Sequence, residues 1–324
     1  MMRLLKSFLK YFSLILIIVT LNFMLPRVMP GDPMVFIFGE EIYGIAVNNP
    51  ELFAQFVEKY GLNLPLIEQY RIHIINFFTG DWGYSFSFGR PVFEIIAERL
   101  PFTLLLTFPA TLLSLMIGIA IGLRIGWRPN RISSRITTSI CLLIHSVPSY
   151  WLSMVFLLVF SLWLRFVPVG GAPRPDSTLI EAISHLILPF SVLLLFNTAY
   201  IAMIVRGLTV EVSEEEFIAT AISKGLKHWK FSIRHLLRPS LPPLIFLTAI
   251  ELGFTLSGAL LVEIVFNWPG IGYTMLQAVV ERDYPLIHAT FTIVAIAVIT
   301  ANAIGDILIG FLDPRVRNNG DIEN

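Results

Sequence analysis

The sequence predicts an all-α integral membrane protein with six transmembrane helices, both termini cytoplasmic, and a small external helical segment after the first span. Three observations carry this. Of 324 residues, 55% are hydrophobic and only 14% are charged, where soluble domains carry about 25% charged residues. Mean hydropathy is accordingly high, at +0.74. Six apolar runs, roughly 8–28, 100–123, 136–164, 183–205, 240–266 and 286–312, are each long enough to cross about 30 Å of hydrocarbon.

Arg3, Lys6 and Lys10 precede the first run, and Leu25-Pro26-Arg27-Val28 closes it without a small-x-small cleavage site. It therefore reads as an uncleaved span, with residues 1–29 forming the N-terminus and first helix. Residues 30–99 make the external segment. They open on the turn Pro30-Gly31-Asp32-Pro33. Residues 50–60 read as a helix stopped by Gly61, and Leu66 to Phe78 as an amphipathic helix stopped at Gly80. Trp82, Tyr84, Phe86 and Phe88 suit a membrane boundary. Residues 100–312 hold the other five spans, and 313–324 are a tail.

The second run carries Gly118, Gly122 and Gly126 at four-residue spacing. Small residues so placed let helices approach closely, and packing within the fold is their ordinary role. Pro148 predicts a kink in the third run. Pro239, Pro242 and Pro243 predict a bent or unwound start to the fifth. Orientation follows from Lys and Arg: 15 of the 23 fall on the N-terminus, the 124–135 connection, the 206–239 interval and the tail. Those segments are predicted to be cytoplasmic.

The 206–239 interval is the longest polar stretch between two apolar runs, and it reads as ordered. Ser213 followed by Glu216 predicts a capping box, and Glu214, Glu215 and Glu216 suit the positive end of a helix dipole. Lys224-Gly225 is a helix stop. A second helix is expected from Lys227, ending near Pro239. A protruding, ordered, charged hairpin is expected to be a docking surface.

Other chemistry is sparse. Net charge is zero, which suggests no nucleic-acid partner. Cys141 is the sole cysteine, so an intrachain disulfide and a cysteine metal cluster are excluded. No Gly-x-x-x-x-Gly-Lys-Ser/Thr loop, His-Glu-x-x-His motif or catalytic pair is present. The chain reads as a non-catalytic subunit with no metal, drawing its energy from a partner or an ion gradient. Polar groups within the spans are His145, Asn197, Glu251, Glu263, Asn302 and Asp306. Such groups usually face a protein interior or a path. Asn302 and Asp306 share one helix face; interhelical bonding is their ordinary role, with Asp306 expected to meet a cytoplasmic arginine. Glu263 is expected to form an interfacial salt bridge, a gate being the sharper reading.

Several stretches together resemble the permease subunits of ATP-binding-cassette importers of the dipeptide, oligopeptide and nickel type. They are Pro30-Gly31-Asp32-Pro33, Gly80-Asp81-Trp82-Gly83-Tyr84-Ser85, Arg90-Pro91-Val92, Glu98-Arg99-Leu100-Pro101 and Ser146 to Trp151. Val262 to Gly272, Arg282-Asp283-Tyr284-Pro285 and Asp313-Pro314-Arg315 continue the resemblance to the end of the chain. Ala219-Thr220-Ala221, with Gly225 following, stands where the family's coupling motif would be, although its leading Glu is absent. The resemblance implies a coupling site of Glu216, Ala219, Thr220, Ala221, Ser223, Lys224, Gly225 and Leu226, seated in a cleft of a cytoplasmic ATPase. It implies a second, similar permease, two ATPases that bind ATP and Mg, and an extracytoplasmic substrate-binding protein, in a bacterial or archaeal inner membrane. Glu251, Glu263, Asn302 and Asp306 are candidates for the path or its gate. Peptides are the expected substrate, with nickel, metal chelates or oligosaccharides as alternatives. An ion-coupled secondary transporter is the runner-up, but no inverted repeat supports it.

Overall fold

The computed structural model describes residues 2–28, 35, 43–45, 48–49, 51, 54, 57–58, 61–85, 87–173, 176–223 and 232–312. For residues 2–6, 8, 232–234, 242–243, 246–247, 249–258 and 308–312 it describes the backbone only. The expected helix over 50–60, the Lys224-Gly225 stop and the tail lie largely or wholly outside the described residues.

The fold is a bundle of long apolar helices. Helix α1 spans Met2–Val28, α2 Leu66–Thr79, α3 Val92–Trp127 and α4 Ile132–Ser146. Helix α5, Ser149–Phe156, continues as a π-helical segment, Leu157–Trp163. Helix α6 spans Leu179–Ser213, α7 Glu216–Ser223, α8 Arg238–Val265, α9 Ile271–Val280 and α10 Tyr284–Leu312. Strands β1 (Tyr84–Ser85) and β2 (Arg90–Pro91) form a small antiparallel hairpin between α2 and α3.

Among the described residues four helices are long and apolar enough to cross a membrane, namely α1 from Leu9, α3, α6 and α10 to Ile307. The α4–α5 pair passes the same test only when taken together, and it is bent by 99° at its break, the shape of a broken span or a re-entrant loop. Proline explains the bend. Val147 before Pro148 is held extended, as a residue before proline must be, and the helix restarts at Ser149. The expected kink is thus a full break. The start of α8 differs from expectation in the other sense. Pro239 ends no helix; it occupies the first turn of α8, behind a Leu237 that is itself helical. A π-helical segment, Ser232–Leu237, leads into it.

Helix ends follow local chemistry. Gly80 closes α2 with φ of 83°, a left-handed conformation open to glycine at little cost. Thr178 and Glu181 form a reciprocal capping box at the start of α6. The box expected at Ser213 and Glu216 does not form. Residues 206–213 instead continue α6, and the Ser213 hydroxyl donates to the Val210 carbonyl within that helix (2.7 Å).

Helices α3 and α6 pack along most of their length, and the three glycines are the reason. Gly118, Gly122 and Gly126 face Ile201, Val205 and Thr209 of α6. A Cβ at Gly122 would lie 2.5 Å from Val205 Cβ and 2.7 Å from the Ala202 carbonyl oxygen. Buried side chains form several clusters along the bundle, the largest of them around Leu106, Ala110, Val192, Leu193, Val262 and Phe266. Leu123, Val205, Ile218, Ala221, Leu236 and Leu244 form one cluster around α7. Val92, Ile95, Ile271, Ala278 and Leu286 form another near the hairpin.

Candidate functional site

The eight residues of α7 stand alone between two long helices. Ile218 and Ala221 are buried against the bundle at 2% and 5% exposure. Glu216, Phe217, Ala219, Thr220, Ile222 and Ser223 face outward. The helix therefore divides the sequence-predicted coupling residues. Ala221 anchors α7, whereas Ala219, Thr220 and Ser223 lie on its free face beside Phe217 and Ile222, which sequence reasoning passed over. The burial of Ile218 rather than Phe217 chose that face, and adjacent apolar residues gave no sign of it. Lys224, Gly225 and Leu226 lie outside the described residues.

Glu263 ends up fully buried near the other end of α8. Its partners are not the expected cation. Thr103 Oγ1 of α3 donates to Oε1 at 2.6 Å, and the Gly272 amide donates to Oε2 at 2.7 Å. The Tyr273 amide bonds the same carboxylate. Thr103 Oγ1 in turn accepts from the Ile271 amide at 2.8 Å. A carboxylate and a hydroxyl thus cap the first turn of α9, where unpaired amides and the helix dipole favour negative charge.

The loop between α8 and α9 makes this possible. Asn267 adopts φ of 49°, and the Trp268 amide donates back to the Glu263 carbonyl at 2.8 Å. The Trp268 indole is buried, with Nε1 donating to the Phe102 carbonyl at 3.0 Å. Gly270 leaves the carboxylate its room, since a Cβ there would collide with it.

Asp306 lies at the opposite end. It accepts from Tyr11 Oη at 2.5 Å and from Lys10 Nζ at 3.2 Å, so α10 is fastened to the start of α1. Its partner is a lysine of the first helix rather than the expected arginine. Asn302, one turn before, donates to the Val298 carbonyl of its own helix at 2.9 Å. Glu251 lies on α8 within the stretch whose backbone alone is described. The four path candidates therefore form no common site among the described side chains. Asn197 is buried with Nδ2 unpaired, as are Thr198 Oγ1 and Thr248 Oγ1. The His145 ring packs on Phe196 and Tyr200.

Asp283 is a further organising residue. It is 4% exposed. Its Oδ2 accepts from Ser85 Oγ at 2.6 Å and Ser87 Oγ at 2.9 Å. Its Oδ1 accepts from the Leu286 amide at 3.2 Å. The hairpin is thereby tied to the start of α10. An Asp placed just before Tyr284-Pro285 at the head of an apolar run is a legible N-cap signal; its bonds to the hairpin are not legible.

A bundle of long apolar helices, with the short α7 packed at one end of it, defines a polytopic membrane protein. Two family models match the chain. One, described as "Binding-protein-dependent transport system inner membrane component", covers residues 114–318; its N-terminal companion covers residues 1–107. The chain belongs to this family of non-catalytic permease subunits of ATP-binding-cassette importers, multi-pass proteins of the inner membrane.

Among curated proteins, it is 34% identical to the oligopeptide transport system permease protein AppB of Bacillus subtilis, over 92% of this chain and 94% of that one. It is 30% identical to the dipeptide transport system permease protein DppB of Escherichia coli K12, over 93% of this chain and 94% of that one. It is also 30% identical to the di/tripeptide permease protein DppB of Pseudomonas aeruginosa, over 92% and 93%. Among solved structures, an inward-facing form of the MetNI methionine ABC transporter matches with a TM-score of 0.56 and 16% identity. That match covers 68% of this chain and 97% of the other, and likeness at this identity is one of fold.

Proposed function

We propose that this chain is one half of the translocation path of a peptide importer, paired with a second permease and driven by two cytoplasmic ATPases. The observation that carries the substrate class is the likeness over at least 92% of the chain to permeases named for oligopeptide, dipeptide and di/tripeptide transport. In this reading α8 completes six spans, both termini are cytoplasmic, and the segment between α1 and α3 faces the binding protein. The ATPases bind ATP and Mg; this chain binds neither.

The 206–239 segment transmits their closure, with α7 as its contact element. Its free face, carrying Phe217, Ala219, Thr220 and Ile222, would enter the ATPase cleft, while Ile218 and Ala221 pass the displacement to α6 and α8. Lys224, Gly225 and Leu226 belong to the same proposed contact. Glu251 and Asn302 are assigned to the path. Glu263 acts by holding the α8–α9 loop in shape, and Asp306 by holding α1 against α10. Mild-detergent purification of the tagged chain tests the assembly. Co-purification of a sister permease and two ATPases, with peptide uptake lost on deletion of the chain, is the expected result. A lone stable chain without any ATPase would refute it.

A further inference from the structure

A cavity of about 490 Å³ lies between α1, α2, the hairpin and the start of α10, a size suited to a small ligand or a headgroup. Its polar lining carries both signs of charge, and the groups that carry them are not consumed by the fold.

Arg27 enters from the last turn of α1. Its guanidinium sits over the Phe23 ring at 3.6 Å and donates to the Phe23 carbonyl at 2.7 Å and to Gln69 Oε1 at 2.6 Å. A guanidinium carries five N–H groups, so others are left over. Among the described residues no carboxylate pairs with it. Asp81 lines the same cavity and likewise has no ion-pair partner among them. His73 bonds the Val19 backbone, while its Nε2 is buried without a partner. Burial pushes the His73 pKa below its ordinary value, and the enclosed Nε2 does not reach the cavity. Trp82, stacked on Phe77 with centroids 5.9 Å apart, completes an aromatic wall.

A guanidinium with N–H groups to spare, an exposed carboxylate and an aromatic wall together describe a host for a zwitterion of phosphate and ammonium. The surroundings say which one. Leu21, Met24, Leu25 and Phe291, on the helices that flank the cavity, are between 50% and 57% exposed. They offer apolar surface to acyl chains beside a polar pocket at the helix ends.

We propose that this cavity holds the phosphoethanolamine headgroup of a membrane phospholipid, phosphate on Arg27 and ammonium on Asp81 beside Trp82. The lipid fastens α2 and the hairpin to α1 and α10. Placing it in the outer leaflet rests on the orientation proposed above. The headgroup chemistry does not, so lipid retention and transport fail separately.

The test uses the intact complex, stripped with detergent and exchanged against vesicles of phosphatidylethanolamine, phosphatidylglycerol or phosphatidylcholine. Retained lipid is counted by native mass spectrometry. Phosphatidylethanolamine should be retained about tenfold over the other two, and Asp81→Asn should erase that preference, as expected for one charge-assisted hydrogen bond. Arg27→Gln should lower retention of every phospholipid by a similar factor, and Arg27→Lys should restore part of it. Asp81 is exposed, so its variant keeps the test open if Arg27→Gln fails to assemble. Equal retention of the three lipids, or wild-type retention by Asp81→Asn, would overturn the proposal. So would displacement of the lipid by a millimolar dipeptide or by inorganic phosphate, since either would assign the cavity to a soluble ligand.

Discussion

Replacing Gly122 with alanine puts the α3–α6 contact to a direct test. The new Cβ would stand 2.5 Å from Val205 Cβ, 2.8 Å from Val205 Cγ1 and 2.7 Å from the Ala202 carbonyl oxygen. Ordinary carbon contacts lie near 3.5–4.0 Å, so the helices must part by roughly 1 Å. Two of the three obstacles belong to a β-branched side chain with little rotamer freedom, and the third is backbone. Overpacking of this kind costs about 1–3 kcal/mol, and a helical Gly→Ala exchange returns up to about 1 kcal/mol. The net loss should be about 1–2 kcal/mol, or on the order of 2–5 °C in melting temperature. Gly207 supplies the control: it lies on α6, and nothing would stand within 4 Å of its Cβ. Gly207→Ala should be neutral or stabilising. Thermal unfolding of the purified chain, followed by size-exclusion fluorescence, measures both. If Gly122→Ala melts with Gly207→Ala, the close approach of α3 and α6 is wrong.

Four further outcomes are expected. Glu263→Gln should cost about 1–3 kcal/mol in melting experiments, because one acceptor oxygen would be left for the Gly272 and Tyr273 amides and the Thr103 hydroxyl would have to give up its donation to the side chain; an unchanged melting temperature would dissolve the capping role. Asp283→Ala should cost about 2 kcal/mol, from a lost cap and lost bonds to Ser85 and Ser87. Limited proteolysis should then cut within 84–91, and unchanged protection there would count against the tie. Ile222→Arg, on the free face of α7, should abolish uptake while the chain stays folded, whereas Ala221→Arg should also lower stability; normal transport by Ile222→Arg would remove α7 as the coupling element. Asp306→Asn should lower stability by less than about 1 kcal/mol, because the Lys10 and Asp306 side chains are 59% and 34% exposed and the Tyr11 bond can persist. A loss of several kcal/mol would show that α1 depends on that pair.

The sequence by itself determined the class of protein. Long apolar runs leave the backbone of this chain only one stable state in lipid, the helix, so α1, α3, α6 and α10 fall on the runs read from composition. Local punctuation was legible where a single residue settles it, as with Gly80 ending α2 and Pro148 breaking the third run. The resemblance motifs marked Val262 to Gly272 and Arg282 to Pro285 as important without saying why. Reading Ser213 and Glu216 as a cap failed because α6 extends as far as Ser213, and its own carbonyls compete successfully for the hydroxyl.

Only the tertiary structure decided which partners distant residues meet. Glu263 reads as an ionic group, yet its partners are Thr103, 160 residues earlier, and the amides of a helix that exists because the loop folds back. Asp306 takes Lys10 and Tyr11 because α1 lies along α10, an arrangement no local pattern encodes. The same holds for α7, where packing against α6 and α8 buries Ile218 and Ala221 and turns Phe217 and Ile222 outward. Propensity and periodicity act within a turn or two of helix. The pairing of charges and the choice of a free face depend on which helices become neighbours, and that is settled by packing over the whole bundle.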